Sequence, residues 1–501
     1  MNIIVQAGGR GSRLRHHTWN KPKCLVSVRG RPILYQLFDR FPDDTFYIIG
    51  DYAFDKLEAY LKNNDPGVKY QLIQTKQKGT SAGIREALEA INNSDSVLLT
   101  WSDLIVGELP ENNDSAHPVA VYTTDAFTCR WSITDGKLQE RPSNVNGIPG
   151  VFLFKNKKFL SNVPSSGEFV RWFSENILSY TVVLANDLEE LGDFSTIEAN
   201  NDSQFCRFFN RVEVKDNTVV KTAVDDDYAH LIDGEIAWYK EVLKLGFNRI
   251  PKLYNLNPLE MQRIPGKHIW EVTDLTEREQ RSLLADYLDS LHNLHSRGET
   301  IANQEQVREV YIEKTKKRVA SVQDLIPNFD RSEITVNGRK CRNVFHSKHQ
   351  QLWDQIIQFT HAEKFTPTHG DPTFSNTLID HNLKTWFIDP RGYFVDPGIW
   401  GDPDYDFAKV YYSAVGGYDA FNRRKFKLYI DDETVEIIQS EPETCKVAVE
   451  LFKEFFPKQL RKIKILHGLI WLALSGYVRD DIDSIIGSFY NGLYWLEDGL
   501  S

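Results

Sequence analysis

Two short segments hold most of the residues in this chain that could do chemistry. In the second half, Thr368-His369-Gly370-Asp371-Pro372-Thr373-Phe374-Ser375-Asn376 is followed by Phe387-Ile388-Asp389-Pro390-Arg391-Gly392. An acid at a strand end can hold a substrate hydroxyl, and an amide five positions on can share Mg²⁺ with a second acid on a following strand. Phosphoryl transfer asks for little more than a positioned hydroxyl, one or two metal ions and a lysine on the phosphates. In the first half, Ala7, Gly8, Gly9, Arg10, Gly11, Ser12 and Arg13 follow directly on a short apolar strand. Glycines there let backbone N–H groups approach a phosphate chain, and Arg13 can add charge-assisted hydrogen bonds. A glycine-rich turn on its own is also simply a turn. A dinucleotide site would need an acid about 20 positions on, where Pro32-Ile33-Leu34 stands, and a Walker A loop would need Gly-Lys-Ser/Thr, which is missing.

The elements that must position these residues are legible in the hydrophobic pattern. Strands are predicted over residues 3–5, 45–49, 70–73 and 96–100, and helices over 32–41, 55–61 and 81–91. This alternation predicts parallel βαβ units with helices on both faces of one sheet, and ligands in such sheets bind beyond the carboxyl ends of the strands. From residue 119 to about 193 the pattern is shorter and more irregular, as for a substrate-binding lobe. A polar stretch over residues 198–203 marks the boundary, giving domains 1–202 and 203–501. Beyond it, apolar runs at 210–215 and 218–222, separated by Asp216-Asn217, predict a hairpin. Long helical patterns then dominate, with Leu283, Leu284, Tyr287, Leu288, Leu291 and Leu294 on one stripe. A small sheet followed by a helical lobe is a bilobal outline.

Composition bounds the function. With 501 residues, 41% hydrophobic and 26% charged, the chain is globular and long enough for two or three domains. A net charge of -11 argues against nucleic acid as a partner, since that affinity comes from Lys and Arg. Cys24, Cys129, Cys206, Cys341 and Cys445 are scattered and form no CxxC pair, so neither a disulfide framework nor a structural zinc site is expected. The opening MNIIVQAGG has no signal-peptide features and no stretch suits a membrane span, so a cytoplasmic protein without membrane insertion is expected.

After the glycine loop come Asn20-Lys21-Pro22-Lys23-Cys24-Leu25 and Gly30-Arg31-Pro32. With them the first half resembles the nucleotidylyltransferases that make nucleoside-diphosphate sugars and CDP-alcohols. The resemblance implies a doubly wound, Rossmann-like α/β domain in which Ala7, Gly8, Gly9, Gly11 and Ser12 bind the nucleotide. It also implies that Arg13 and Lys23 bind the triphosphate and stabilise the negative charge that spreads over non-bridging oxygens as pyrophosphate leaves the α-phosphorus. Gly79 and Thr80, in Gln77-Lys78-Gly79-Thr80-Ser81-Ala82-Gly83 at a predicted helix start, match the segment that reads the base. Asp103, after a strand, matches the family's metal-binding aspartate, and a carboxylate suits Mg²⁺. Asp193, in Leu191-Gly192-Asp193-Phe194-Ser195-Thr196, resembles the second metal ligand, with Ser in place of the expected Gly; a helix N-cap is its other reading. Glu140-Arg141-Pro142 and residues 147–150 fall where relatives contact the acceptor.

The second half resembles the aminoglycoside phosphotransferase and choline kinase superfamily. That implies a bilobal, protein-kinase-like (α+β) domain with Asp371 as catalytic base, Asn376 and Asp389 as metal ligands, and His369 orienting the loop. Lys221, on a short strand, would bind the phosphates and pair with Glu235 at the start of a helix. Glu260 and Gln262, in the segment 259–266, would belong to the adenine-binding connector between lobes. His292 and His295 are expected to be structural, as is Asp406. A protein kinase is disfavoured, because the loop lacks the HRD arginine and no DFG is present. Arg391 beside the metal site points to an anionic or polyhydroxy acceptor; Tyr393, Trp400, Tyr405, Trp471, Tyr477 and Trp495 could instead cage a cation or simply be core. The joint expectation is a bifunctional enzyme using Mg²⁺ at both sites. It would phosphorylate a sugar, polyol or amino alcohol with ATP and couple the monoester to a second NTP, CTP or UTP, for surface-glycan synthesis. The alternative is that one head is inactive and serves as a binding module.

Overall fold

The computed structural model describes residues 1–91, 96–111, 117–202, 210–224 and 228–501. Ser203, where the predicted second domain starts, and Cys206 lie outside the described residues. The chain divides into two compact units, Met1–Gln204 with Arg479–Asp483, and Phe205–Val478 with Ser484–Ser501.

In the first unit, β1 (Asn2–Gln6), α1 (Ile33–Arg40), β2 (Thr45–Gly50), α2 (Phe54–Asn63), β3 (Lys69–Gln74), α3 (Ile84–Ala90) and β4 (Val97–Trp101) alternate. They are followed by β5 (Leu104–Val106), β6 (Val119–Thr123), β7 (Phe152–Phe154), β8 (Thr181–Leu184), β9 (Leu188–Glu190) and α4 (Phe194–Asp202). The seven-stranded sheet runs β8-β6-β7-β4-β1-β2-β3. β1 pairs in parallel with β2 and β4, and Gln6 lies level with Ile49 and Trp101. The three carboxyl ends therefore open on one edge. β1 reads Ile-Ile-Val without alternation because both faces of the sheet are covered, and all three side chains are buried. α3 starts at Ile84, three residues later than the pattern predicts, because Gly83 sits in the left-handed region at φ 78° and ends the preceding turns. The segment Arg479–Asp483 also packs in this unit. Buried Lys21 draws it in, with Nζ 2.5 Å from Asp481 and 2.7 Å from Asp483.

The second unit begins with the expected hairpin, β10 (Asn210–Val214) and β11 (Thr218–Ala223), followed by α5 (Ala229–Lys244), β12 (Leu253–Leu256) and β13 (Leu259–Gln262). The sheet order is β10-β11-β13-β12, antiparallel throughout. α5 begins six residues before Glu235 rather than at it, so Glu235 stands in the second turn and is buried. Then come α6 (Glu277–His295), α7 (Lys314–Ala320), β14 (Lys364–Pro367), β15 (Thr377–Asp380), β16 (Thr385–Phe387), α8 (Pro403–Ala414) and α9 (Leu460–Ser475). The predicted leucine stripe of α6 is buried throughout. No helix among the described residues is long and apolar enough to cross a membrane.

Candidate active sites

In the first unit the chain leaves β1 through Ala7, whose N–H donates to the Ile49 carbonyl at 2.8 Å. Ala7 is buried and its donor is already used, so the sheet edge holds the start of the loop. Gly8, Gly9, Gly11 and Ser12 line a cleft of about 460 Å³ together with Arg13, Lys23, Gly79, Thr80 and Asp103. Gly11 is required by close approach: a Cβ there would stand 3.0 Å from the Lys23 Cβ. Lys23 thus runs against the loop and ends 2.6 Å from Asp103 Oδ2. Across the cleft, Gly79 adopts φ 99°, and a Cβ on it would fall 2.1 Å from the Gly167 carbonyl oxygen. Gln6, the last residue of β1, donates to the Thr80 and Ala82 carbonyls at 2.7 and 3.0 Å. The Thr80 hydroxyl accepts from Phe169 N–H at 2.8 Å. The base-reading segment is therefore a pinned turn; it is not the helix start expected.

Asp193 behaves as a cap. It precedes α4, accepts from the Ser195 N–H at 3.2 Å and from the Ser195 hydroxyl, and these bonds hold its carboxyl below the ordinary value, with Arg13 assisting. Its neighbour Gly192 lines the cleft. The acid missed by sequence reasoning is Glu190. β9 pairs antiparallel with β5, bringing Glu190 opposite Leu104 and so beside Asp103. Burial first, and then the Asp103 charge, raise the Glu190 pKa, while Arg13 and Lys23 oppose the rise. The two neighbouring carboxylates are a donor set of hard oxygens that fits Mg²⁺. Only the β5–β9 pairing reveals it, because nothing in Leu188-Glu189-Glu190 marks one acid over the other.

In the second unit Lys221 crosses from β11 to Glu235 on α5, 2.6 Å away, and also contacts Asp389. Burial acts to lower the Lys221 pKa, but the charges of Asp389 and Glu235 outweigh it and hold it raised. Asp371 follows β14. The Asn376 amide nitrogen donates to the Asp371 carbonyl at 2.8 Å and to its Oδ2 at 2.9 Å. With that nitrogen committed, the Asn376 carbonyl oxygen is the atom left for a metal, and with Asp389 it makes a hard-oxygen pair that fits Mg²⁺. Buried Asp406 on α8 accepts from the His369 and Gly370 N–H groups, both at 2.8 Å, and from His295 at 3.0 Å. His369 reaches the Ile388 carbonyl at 3.0 Å, tying the two motif segments together, and burial lowers its pKa. Asp406 and His295 are thus structural supports of the loop. Glu260 and Gln262 lie inside the sheet on β13, opposite Val220 and Thr218, so the connector begins only at Arg263. The ladder takes those four residues because Leu259 and Met261 alternate into the core.

A family profile described as the MobA-like NTP transferase domain matches residues 3–109, and one described as the phosphotransferase enzyme family matches residues 199–436. The chain is 33% identical over 107 residues to the bifunctional protein GlmU of Methanocaldococcus jannaschii, covering 21% of this chain and 25% of that protein. It is 27% identical over 173 residues to GlmU of Methanococcus aeolicus, covering 32% and 41% respectively. The first of these matches spans about a quarter of the relative's length. Among solved structures, HddC from Yersinia pseudotuberculosis is similar at 17% identity and a TM-score of 0.34, over 40% of this chain and 97% of that one. The inositol-1-phosphate CTP transferase from T. maritima is similar at 16% identity and a TM-score of 0.31, over 41% and 98%. With the two profile matches falling on the two motif-bearing units, the chain is a fusion of a MobA-like NTP transferase domain with a domain of the phosphotransferase enzyme family.

Proposed function

We propose that the protein is a bifunctional transferase: the second unit phosphorylates a hydroxylated metabolite with ATP, and the first joins the monoester to a second NTP, CTP or UTP, releasing pyrophosphate. The observation that carries this reading is that each unit assembles its own cation–carboxylate set. Lys23 stands on Asp103 beside a glycine loop, and Lys221 bridges Glu235 and Asp389 near the Asp371–Asn376 pair.

In the kinase unit, Asp371 takes the proton of the acceptor hydroxyl as its oxygen attacks the γ-phosphorus of ATP, and ADP leaves. Lys221 holds the phosphates, and Glu235 holds Lys221. In the transferase unit, an oxygen of the phosphomonoester attacks the α-phosphorus of the NTP. The bond to pyrophosphate breaks, and Arg13 and Lys23 face the charge that spreads over the non-bridging oxygens. Asp389 with Asn376, and Asp103 with Glu190 or Asp193, would hold Mg²⁺, which supplies charge neutralisation on the phosphates when bound. The products suit activated donors for surface-glycan synthesis, and the protein would work in the cytoplasm. The intact cation–carboxylate set in each unit favours two active heads over one head kept as a binding module.

Mass spectrometry of the full chain with ATP, mixed NTPs and a panel of polyols, sugars and amino alcohols tests this. Lys23→Ala and Asp103→Asn should stop the nucleotidylated product while the monoester accumulates. Asp371→Asn should stop the monoester, and added monoester should bypass it. Pyrophosphate release unchanged in Lys23→Ala would overturn the transferase assignment, and a kinase product that the transferase rejects would overturn the coupling.

A further inference from the structure

The neighbourhood of Asp371 is strongly cationic. A π-helical turn, Glu309–Glu313, leads into α7, on which Lys314 and Arg318 are four residues apart and so share a face. Lys314 Nζ lies 5.9 Å from the ring centre of Tyr405, and Lys409 Nζ lies 5.9 Å from the same ring. Arg391 donates to the Tyr405 hydroxyl at 3.4 Å. Lys409 in turn ion-pairs with Asp371 Oδ1 at 2.9 Å, which links this group of cations to the motif acid. Among the described residues, neither Lys314 nor Arg318 nor Arg391 has a carboxylate partner within 4.0 Å. Burial and then the charges of Arg391, Arg318 and Lys409 push the Lys314 pKa well below its ordinary value. Like charges gathered this way are costly to fold around, and such arrangements cluster where a ligand supplies the missing charge.

The same geometry sets cations against three of the aromatic rings that could otherwise hold a cationic acceptor. The Tyr405 ring is flanked by Lys314 and Lys409; Arg391 lies 4.2 Å from the Tyr393 ring centre and Arg318 5.1 Å from that of Tyr477. Trp471 is fully buried in the core. We propose that the acceptor of the kinase unit carries a negative charge of its own, a carboxylate or phosphate group, held by Lys314, Arg318 and Arg391 while its hydroxyl meets Asp371. This rests on the kinase reading above and specifies its substrate class: hydroxy acids or hydroxylated phosphomonoesters, and not amino alcohols.

The test uses the full chain with Mg·ATP and follows ADP formation. The acceptors are glycerate and gluconate as carboxylates, glycerol 3-phosphate as a phosphate, glycerol and xylitol as neutral matches, and choline and ethanolamine as cations. An anionic acceptor should exceed its neutral match in kcat/KM by roughly 100-fold, and Lys314→Met or Arg318→Met should raise its KM roughly 10- to 100-fold. Whether glycerate or glycerol 3-phosphate leads tells carboxylate from phosphate. In parallel, malonate and inorganic phosphate are titrated in the presence of Mg·AMP-PNP against wild type and the Lys314→Met/Arg318→Met double variant, with circular dichroism confirming the fold. Binding lost in the double variant supports the proposal, and equal binding overturns it. Higher kcat/KM on choline or a neutral polyol overturns the acceptor class while leaving the kinase reading standing. No ADP from any acceptor, or ADP that persists in Asp371→Asn, overturns the kinase reading itself.

Discussion

Replacing Lys221 by Met should separate stability from activity in the kinase unit. Lys221 and Glu235 are 5% and 4% exposed, and Lys221 is the cation that Glu235 faces at 2.6 Å. Asp389, with 30% of its side chain exposed, can turn to water when Lys221 is lost; Glu235 cannot. Breaking a buried ion pair by removing one partner costs about 3–5 kcal/mol, because the other charge is left in a poor solvent. Lys221→Met should therefore lower the unfolding free energy by about that much. It should also lower kcat for ADP formation by about 100- to 1000-fold, the usual effect of removing one preorganised donor from a developing anion. The double variant Lys221→Met/Glu235→Leu removes both charges and should regain most of the lost stability, since apolar replacement of a buried pair is often neutral or favourable. It should regain none of the rate. Calorimetry of the full chain and a coupled ADP assay read the two quantities separately. A single variant that costs less than about 1 kcal/mol, or a double variant that recovers kinase rate, would refute the assignment of Lys221 as both the partner of Glu235 and the phosphate ligand.

Two further predictions concern the transferase unit. The Glu190 pKa is raised above its ordinary 4.5 by burial and by Asp103, so this group contributes stability below pH 4.5 that is lost as pH rises through the folded-state pKa. Glu190→Gln should accordingly raise Tm at pH 7 in chelator, with the gain vanishing below about pH 4.5, and should weaken Mg²⁺ activation of pyrophosphate release roughly 10- to 100-fold; a lower Tm at pH 7 would contradict it. Gly79→Ala places a methyl 2.1 Å from the Gly167 carbonyl oxygen at φ 99°. It should cost about 2–4 kcal/mol and raise KM for the NTP at least about tenfold while ADP formation is unaffected; wild-type KM would show that the turn does not shape the base subsite.

The motifs were legible because local chemistry imposes them. A glycine loop after an apolar strand, and an acid with an amide five residues on, are short-range patterns that survive without knowledge of the fold. The βαβ alternation and the hairpin at Asp216-Asn217 were readable for the same reason, since periodicity and turn residues act within a few positions. Errors arose where tertiary context overrode the local signal. Gly83 in the left-handed region delayed α3, and alternation of Leu259 and Met261 into the core kept Glu260 and Gln262 in a strand.

By itself the sequence determined which chemistries were available: two phosphate-handling motifs and their order along the chain. Tertiary structure alone decided which charges meet. The pairing of β9 with β5 selected Glu190 over Glu189, and the packing of α7 against α8 brought Lys314 to the Tyr405 ring, where Arg391 and Lys409 also converge and Lys409 reaches Asp371. Those residues are distant in sequence, and an electrostatic site depends on separations of a few ångströms that no local pattern encodes.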